Sequence, residues 1–161
     1  MEEIRINPIG VVKTPVKDIY AMPMEGERAI VEIKEEYVPA LQRIEENSHL
    51  WIICWFDQAD RQMLQTMPRI MEPEPLKFGV FALRCFSRPN PVAITLVSLE
   101  KVEGNLLYVT GLDAVEGTPV LDIKPYYEQD SIFSPRTSYI KPKDEPVRRS
   151  LMHKLAYRHH G

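Results

Sequence analysis

Apolar and polar positions in this chain alternate over short stretches more often than they recur at helical spacing. Ile4–Val12 is apolar and β-branched, with Pro8 early and Thr14-Pro15 closing it, which predicts a strand near a sheet edge. Arg28–Lys34 sets Ala29, Val31 and Ile33 against Ile30, Glu32 and Lys34, a short strand with one face more apolar than the other. His49–Phe56 is almost unbroken apolar sequence of strand length, and predicts a central strand covered on both faces. Phe78–Cys85, Val92–Val102, Asn105–Gly111 and Pro119–Lys124 are further strands by composition, and Glu103-Gly104-Asn105 marks a tight turn between two of them. Helical spacing occurs twice. Tyr37, Leu41 and Ile44 fall on one face after Glu35-Glu36, with Pro39 in the first turn and Asn47 at the end; Val147, Leu151 and Leu155 do so within Pro146–Tyr157, with Asp144 available as N-cap. The segment from Asp57 to Leu76, with Pro68, Pro73 and Pro75, reads as loop. The expected fold is therefore mainly β: an antiparallel closed or nearly closed β-barrel with one internal and one C-terminal helix. It occupies residues 1–135 as one domain, followed by a basic extension with a short helix over 136–161.

Composition narrows the function classes. A length of 161 residues suits one hydrophobic core, and 44% hydrophobic with 27% charged residues excludes disordered, collagenous and coiled-coil chains. The 7 glycines are scattered, so no phosphate-cradling loop of the Rossmann or P-loop kind exists. Cys54 and Cys85 lie in apolar stretches outside any CxxC pair, and the start MEEIRINPIG is acidic where a secretory leader is basic. A cytoplasmic protein is expected. Charge is uneven: residues 1–75 carry 8 Lys/Arg against 14 Asp/Glu, residues 76–161 carry 12 against 9, and from Arg136 onward 7 basic residues face only Asp144 and Glu145. A basic terminus of this kind suits phosphate or an acidic surface.

Three clusters place polar groups where core strands are expected. In Leu83-Arg84-Cys85-Phe86-Ser87-Arg88-Pro89-Asn90-Pro91, Arg88 and Asn90 each precede a proline and are held extended. Two guanidinium groups and an amide on a stiffened segment make a reader of carboxylate, phosphate or a base edge, since little entropy remains to be lost on binding. The same residues also suit a structural role, with the arginines paired to acidic neighbours and Asn90 closing a turn. In Gly117–Tyr126, Asp122 and Lys124 share one face of a strand that otherwise reads as core, and charges at such depth need partners: each other, Arg84, or a ligand. Asp57-Gln58 follows the most apolar run, at the mouth of the strand expected to be central. His49 reads as a core or capping histidine; His153, His159 and His160, in the basic tail, lack partners at metal-ligand spacing, so no metal is expected.

The strings GVFALRCFSRPNPVAITLVSLE and GLDAVEGTPVLDIKPY, in that order, resemble the paired signature of the TsaA-like, or TrmO, family, and so do PIGVVKTP near the start and SHLWIICWF. The resemblance runs from Ile6 to about Tyr127. It implies S-adenosyl-L-methionine-dependent methyl transfer on an antiparallel barrel, in a homodimer with cofactor sites near the subunit interface. The acceptor it implies is N6 of threonylcarbamoyl-adenosine beside the tRNA anticodon. Carried over by position, the expected cofactor contacts are Arg84, Arg88 and Asn90 in the RPNP stretch, Ile94 just beyond it, and Asp113, Ala114, Val115 and Glu116 before GTPVLDIKPY. Asp57-Gln58 stands where the family has His-Gln, and Met24-Glu25 where many members have Arg-Gln.

Several of these positions depart from the family pattern. Asp57, Glu25 and Met24 remove positive or neutral character, Ala93 replaces a glycine, and Cys85-Phe86 replaces Ser-Pro. An acidic rim repels RNA phosphate, so two further readings stand beside the first: a methyltransferase acting on a small molecule or another RNA, and a cofactor-binding module without turnover.

Overall fold

Period-two burial builds the barrel wall. The structure is a computed structural model that describes residues 2–23, 25–67, 77–132 and 135–136. Of these, residues up to 57 together with 92–130 form one compact unit, and residues 58–67 and 77–91 belong to a second. The first unit contains β1 (Gly10–Lys13), β2 (Glu27–Ile33), β3 (His49–Trp55), β6 (Val92–Glu103), β7 (Leu106–Leu112) and β8 (Pro119–Pro125); the second contains β4 (Gln65–Thr66) and β5 (Phe78–Gly79). The six strands pair in the order β1-β2-β7-β6-β3-β8 and β8 returns to β1, every pair antiparallel, closing the barrel. Val12, Ala29, Val31, Ile33, Leu50, Ile52, Val97, Leu107, Val109 and Val120 are buried inside it.

Closure answers the expectation of an edge at β1, because a closed sheet has none; the β1–β8 seam nevertheless carries only two paired positions on β1, Gly10 and Val11. The strand is shorter than its sequence suggests. It begins at Gly10, while Ile4 and Ile6 are exposed, because Pro8 removes a donor from the preceding stretch. The unbroken apolar run of β3 does not mean burial on both faces. Leu50, Ile52 and Cys54 point inward, whereas Trp51, Ile53 and Trp55 face outward and are half-buried.

The internal helical segment packs as its spacing requires, with Leu41 buried and Tyr37 and Ile44 against the core. It is wound as 3₁₀ turns, Glu35–Leu41 and Ile44–Glu46, rather than as an α-helix. Pro39 inside the first turn lacks the N–H an i→i−4 ladder needs, and Arg43 at φ 68° breaks the winding before Ile44. Asn47 ends it, its backbone and side-chain nitrogens both donating to the Ile44 carbonyl at 3.1 Å. The Glu103-Gly104-Asn105 turn joins β6 and β7 as expected, with Gly104 at φ 60°. The helix expected at Pro146–Tyr157, the basic tail and Met24 lie outside the described residues. No helix among the described residues is long and apolar enough to cross a membrane.

Candidate functional site

Strand register gathers most of the candidate residues of the first unit at one end of the barrel. There Trp55 pairs with Val92, Cys54 with Ala93 and Val120, and Glu27 with Leu112. Asp57 therefore leaves β3, Ile94 enters on β6, Glu25 precedes β2, and Asp113–Glu116 connect β7 to β8, all at this end. Two glycines bring Glu25 against that connection. Gly26 (φ 77°) sits so close to Gly111 (φ 94°) that a Cβ on Gly26 would lie 2.5 Å from the Gly111 carbonyl, and only glycine adopts both conformations at such an approach.

The connection is pinned along its length. Asp113 accepts a hydrogen bond from the Thr95 hydroxyl, and Thr95 lies on the inward face of β6 between Ala93 and Val97. Ala114 is buried, and the Val115 carbonyl accepts both the backbone N–H and the hydroxyl of Thr118, at 3.2 and 2.7 Å. Glu116 works as a brace: its carboxylate accepts the Thr14 N–H at 2.6 Å and faces the Lys13 ammonium at 3.9 Å, while its own N–H donates to the Val16 carbonyl at 2.8 Å. Below this end, burial and then the nearby Asp113 charge push the Cys54 thiol up to about 12. The side chains of Glu25 and Asp57 are exposed and hold no partner among the described residues. Ile94 faces outward, half exposed, across from Ile53.

The second unit carries the arginine and asparagine candidates. Phe78–Cys85 reads as a strand in composition, yet only Phe78–Gly79 pairs, with Gln65–Thr66, before a 3₁₀ turn at Val80–Ala82. The reason is Arg88. Its Nε donates to the Cys85 carbonyl at 2.9 Å, and its Nη2 donates to the carbonyls of Val80 at 2.6 Å and of Leu83, so the loop wraps around one guanidinium. Arg88 is thus spent on the backbone instead of facing a ligand by these atoms. Arg84, in contrast, is exposed and makes no hydrogen bond or ion pair among the described residues, and the Gln58 side chain is likewise exposed. Asn90 is met by Arg61, a residue that the sequence did not single out, through contacts of Nε to the Pro89 carbonyl at 2.8 Å and Nη2 to Asn90 Oδ1 at 3.4 Å.

Two expectations are corrected. Asp122 and Lys124 pair with each other at 2.9 Å, but on the outer face of the barrel with side chains 47% and 64% exposed, so the couple is not buried. His49 is an exposed strand end, not a core group, hydrogen-bonded between Nδ1 and the Ser48 hydroxyl at 2.9 Å and edge-on to Tyr126. A surface cavity at the other end of the barrel, lined by Ala40, Arg43, Asn47, Leu50 and Pro125 among others, takes in none of the candidate residues.

Residues 11–131 match the family described as tRNA-methyltransferase O N-terminal domain. The chain belongs to this family. The span takes in the whole barrel wall except Gly10, together with the Arg84–Asn90 loop. Among curated relatives of this methyltransferase family, the chain is 43% identical over 130 residues to a "Probable S-adenosyl-L-methionine-binding protein" of Methanothermobacter thermautotrophicus, covering 78% of this chain and 92% of that one. It is 38% identical over 105 residues to the tRNA (adenine(37)-N6)-methyltransferase of Rattus norvegicus, covering 63% of this chain and 24% of that one. A crystal structure of TrmO from Pseudomonas aeruginosa aligns with a TM-score of 0.69 at 30% identity over 85% of this chain. The chain spans 62% of the length of that TrmO chain.

Proposed function

We propose that this chain is an S-adenosyl-L-methionine-dependent methyltransferase acting on N6 of a tRNA adenosine, the threonylcarbamoyl-adenosine beside the anticodon, and that it works as a cytoplasmic homodimer. The observation that carries the reading is Arg84: an exposed guanidinium with no hydrogen bond or ion pair among the described residues, on a loop whose backbone is already fixed by Arg88, inside the span shared with the family.

The donor set fits such a cofactor. A carboxylate suits Arg84 and the Asn90 amide, the adenine end suits main-chain groups of Asp113–Glu116, and Ile94 offers an apolar contact. Met24, Glu25, Asp57 and Gln58 complete the proposed contacts, with Arg88 and Glu116 holding the loops that carry them. When bound, the cofactor supplies an already activated methyl group, so the protein's task is placement, and orientation of this kind contributes about 7–11 kcal/mol. Asp122 is engaged by Lys124 at 2.9 Å, which leaves the exposed Asp57 as the carboxylate to take the acceptor's proton.

A second copy suits the outer barrel face, where Trp51, Ile53 and Trp55 stand opposite Leu96, Ile94 and Val92 as an apolar ladder that includes Ile94, one of the proposed cofactor contacts. The basic stretch 136–161 supplies phosphate contacts for RNA. One observation favours a different acceptor: Glu25, Asp57, Asp113 and Glu116 make the site end of the barrel acidic, which suits a small molecule without phosphates. Labelled methyl transfer separates the two. Incorporation into total tRNA supports the RNA acceptor; a labelled small-molecule product with unlabelled tRNA supports the other.

A further inference from the structure

The sequence Arg88-Pro89-Asn90-Pro91 has an unusual shortage of donors. Neither proline has an N–H, so the main chain around Asn90 offers carbonyls with little of its own to satisfy them. The first half of the loop answers the need through Arg88, which serves the carbonyls of Val80, Leu83 and Cys85. The second half is served by Arg61, about 30 positions earlier in the chain, whose Nε reaches the Pro89 carbonyl at 2.8 Å.

The same guanidinium meets the Asn90 side chain at 3.4 Å through Nη2. Arginine has five N–H donors and no acceptor, so the Asn90 atom facing it is the carbonyl oxygen, which fixes the amide the one way round. Its NH₂ group is then turned away from Arg61, and neither of its hydrogens is bonded among the described residues. Asn90 precedes Pro91, which disfavours its helical region and so narrows the freedom of its backbone.

We propose that Arg61 is a positioning residue: by anchoring Pro89 and donating to the oxygen of the Asn90 amide, it presents the Asn90 NH₂ as a donor to the carboxylate of the methyl donor. The inference rests on the cofactor reading above. Arg61 itself touches no ligand; its effect passes through the orientation of one amide.

Two probes distinguish this from general support of the loop: S-adenosylhomocysteine, which carries the amino-acid carboxylate, and 5′-methylthioadenosine, which lacks it. Titration calorimetry on the full chain is expected to show Arg61→Ala and Asn90→Ala each weakening S-adenosylhomocysteine about five- to tenfold, with the double variant no weaker than Asn90→Ala alone and methylthioadenosine affinity unchanged. Asn90→Asp keeps an acceptor for Arg61 but removes the donor; it is expected to melt at the wild-type temperature and to lose S-adenosylhomocysteine affinity by at least as much. Equal weakening of both probes by Arg61→Ala, additive effects in the double variant, or unimpaired binding by Asn90→Asp would each overturn the proposal. A wild-type chain that binds neither probe overturns the cofactor reading itself, and this inference with it.

Discussion

Cys54 is 2% exposed, and its burial above all, with the Asp113 carboxylate in support, holds its proton to about pH 12. In the unfolded chain the thiol ionises near its ordinary value of 9.0. The folded state therefore keeps a proton that the unfolded state gives up, so the stability this contributes is intact below about pH 9 and is lost as pH rises toward 12. Urea unfolding across that window should lose about 1.4 kcal/mol per pH unit in the wild type beyond what Cys54→Ala loses; equal slopes would remove Cys54 as the cause. Arg84 makes the opposite case, an exposed charge with no hydrogen bond or ion pair among the described residues. Arg84→Ala is expected to weaken S-adenosyl-L-methionine binding at least tenfold by calorimetry while leaving the melting temperature within a degree or two, since the change removes an exposed side chain. Arg84 and Arg88 look alike in sequence: two arginines four positions apart in one loop. Their roles separate only in three dimensions, because what decides between ligand and backbone is whether carbonyls converge on the guanidinium. Arg61 is one charge in a polar stretch and carries no signal in the sequence, whereas Thr95, a hydroxyl on an otherwise apolar inward face, is legible there as a group that needs a partner.

At the level of elements, β2 was legible from alternation, β3 from an unbroken apolar run, and β6, β7 and β8 from composition, each nearly to the residue, since a barrel wall needs apolar, β-branched residues on its inward face. Composition failed where pairing was lacking. Phe78–Cys85 has strand-like residues, but the carbonyls of Val80, Leu83 and Cys85 are taken by Arg88, and among the described residues only Phe78–Gly79 pairs with another strand. The 3₁₀ winding at Glu35–Leu41 depends on Pro39 five residues into the segment, too late for an α-helical first turn to absorb. The Asp122–Lys124 couple was placed too deep because a barrel strand shows one face to solvent even when its neighbours are apolar. Among the turns, two glycines invite direct comparison. Gly104→Ala meets nothing within 4 Å and should cost about 1–2 kcal/mol of strain alone. Gly26→Ala adds a Cβ 2.5 Å from the Gly111 backbone and should cost roughly twice as much or more, with thermal or urea denaturation as the measure. Similar losses for both would mean the Gly26–Gly111 approach is not a constraint on the site end of the barrel.

For the whole molecule, the outer apolar ladder of the barrel raises the question of assembly. The ladder gives a prediction independent of chemistry. If a second copy covers it, Ile53→Asp with Ile94→Asp should convert a dimer to a monomer in light scattering after gel filtration, because two carboxylates opposite each other on paired strands cannot be buried unpaired; a dimer that survives both changes lies elsewhere on the surface. Family membership and fold were legible in the motifs because RPNP and DIKPY fall in one order along one chain, whereas the acceptor was not, since Asp57 and Glu25 depart in charge from the family pattern. The most direct test is nucleoside mass spectrometry of tRNA carrying threonylcarbamoyl-adenosine after incubation with the chain and S-adenosyl-L-methionine. Methyl transfer to N6 predicts that this nucleoside alone becomes heavier by one methyl group. A chain that binds the cofactor and leaves every tRNA nucleoside unchanged would contradict the account.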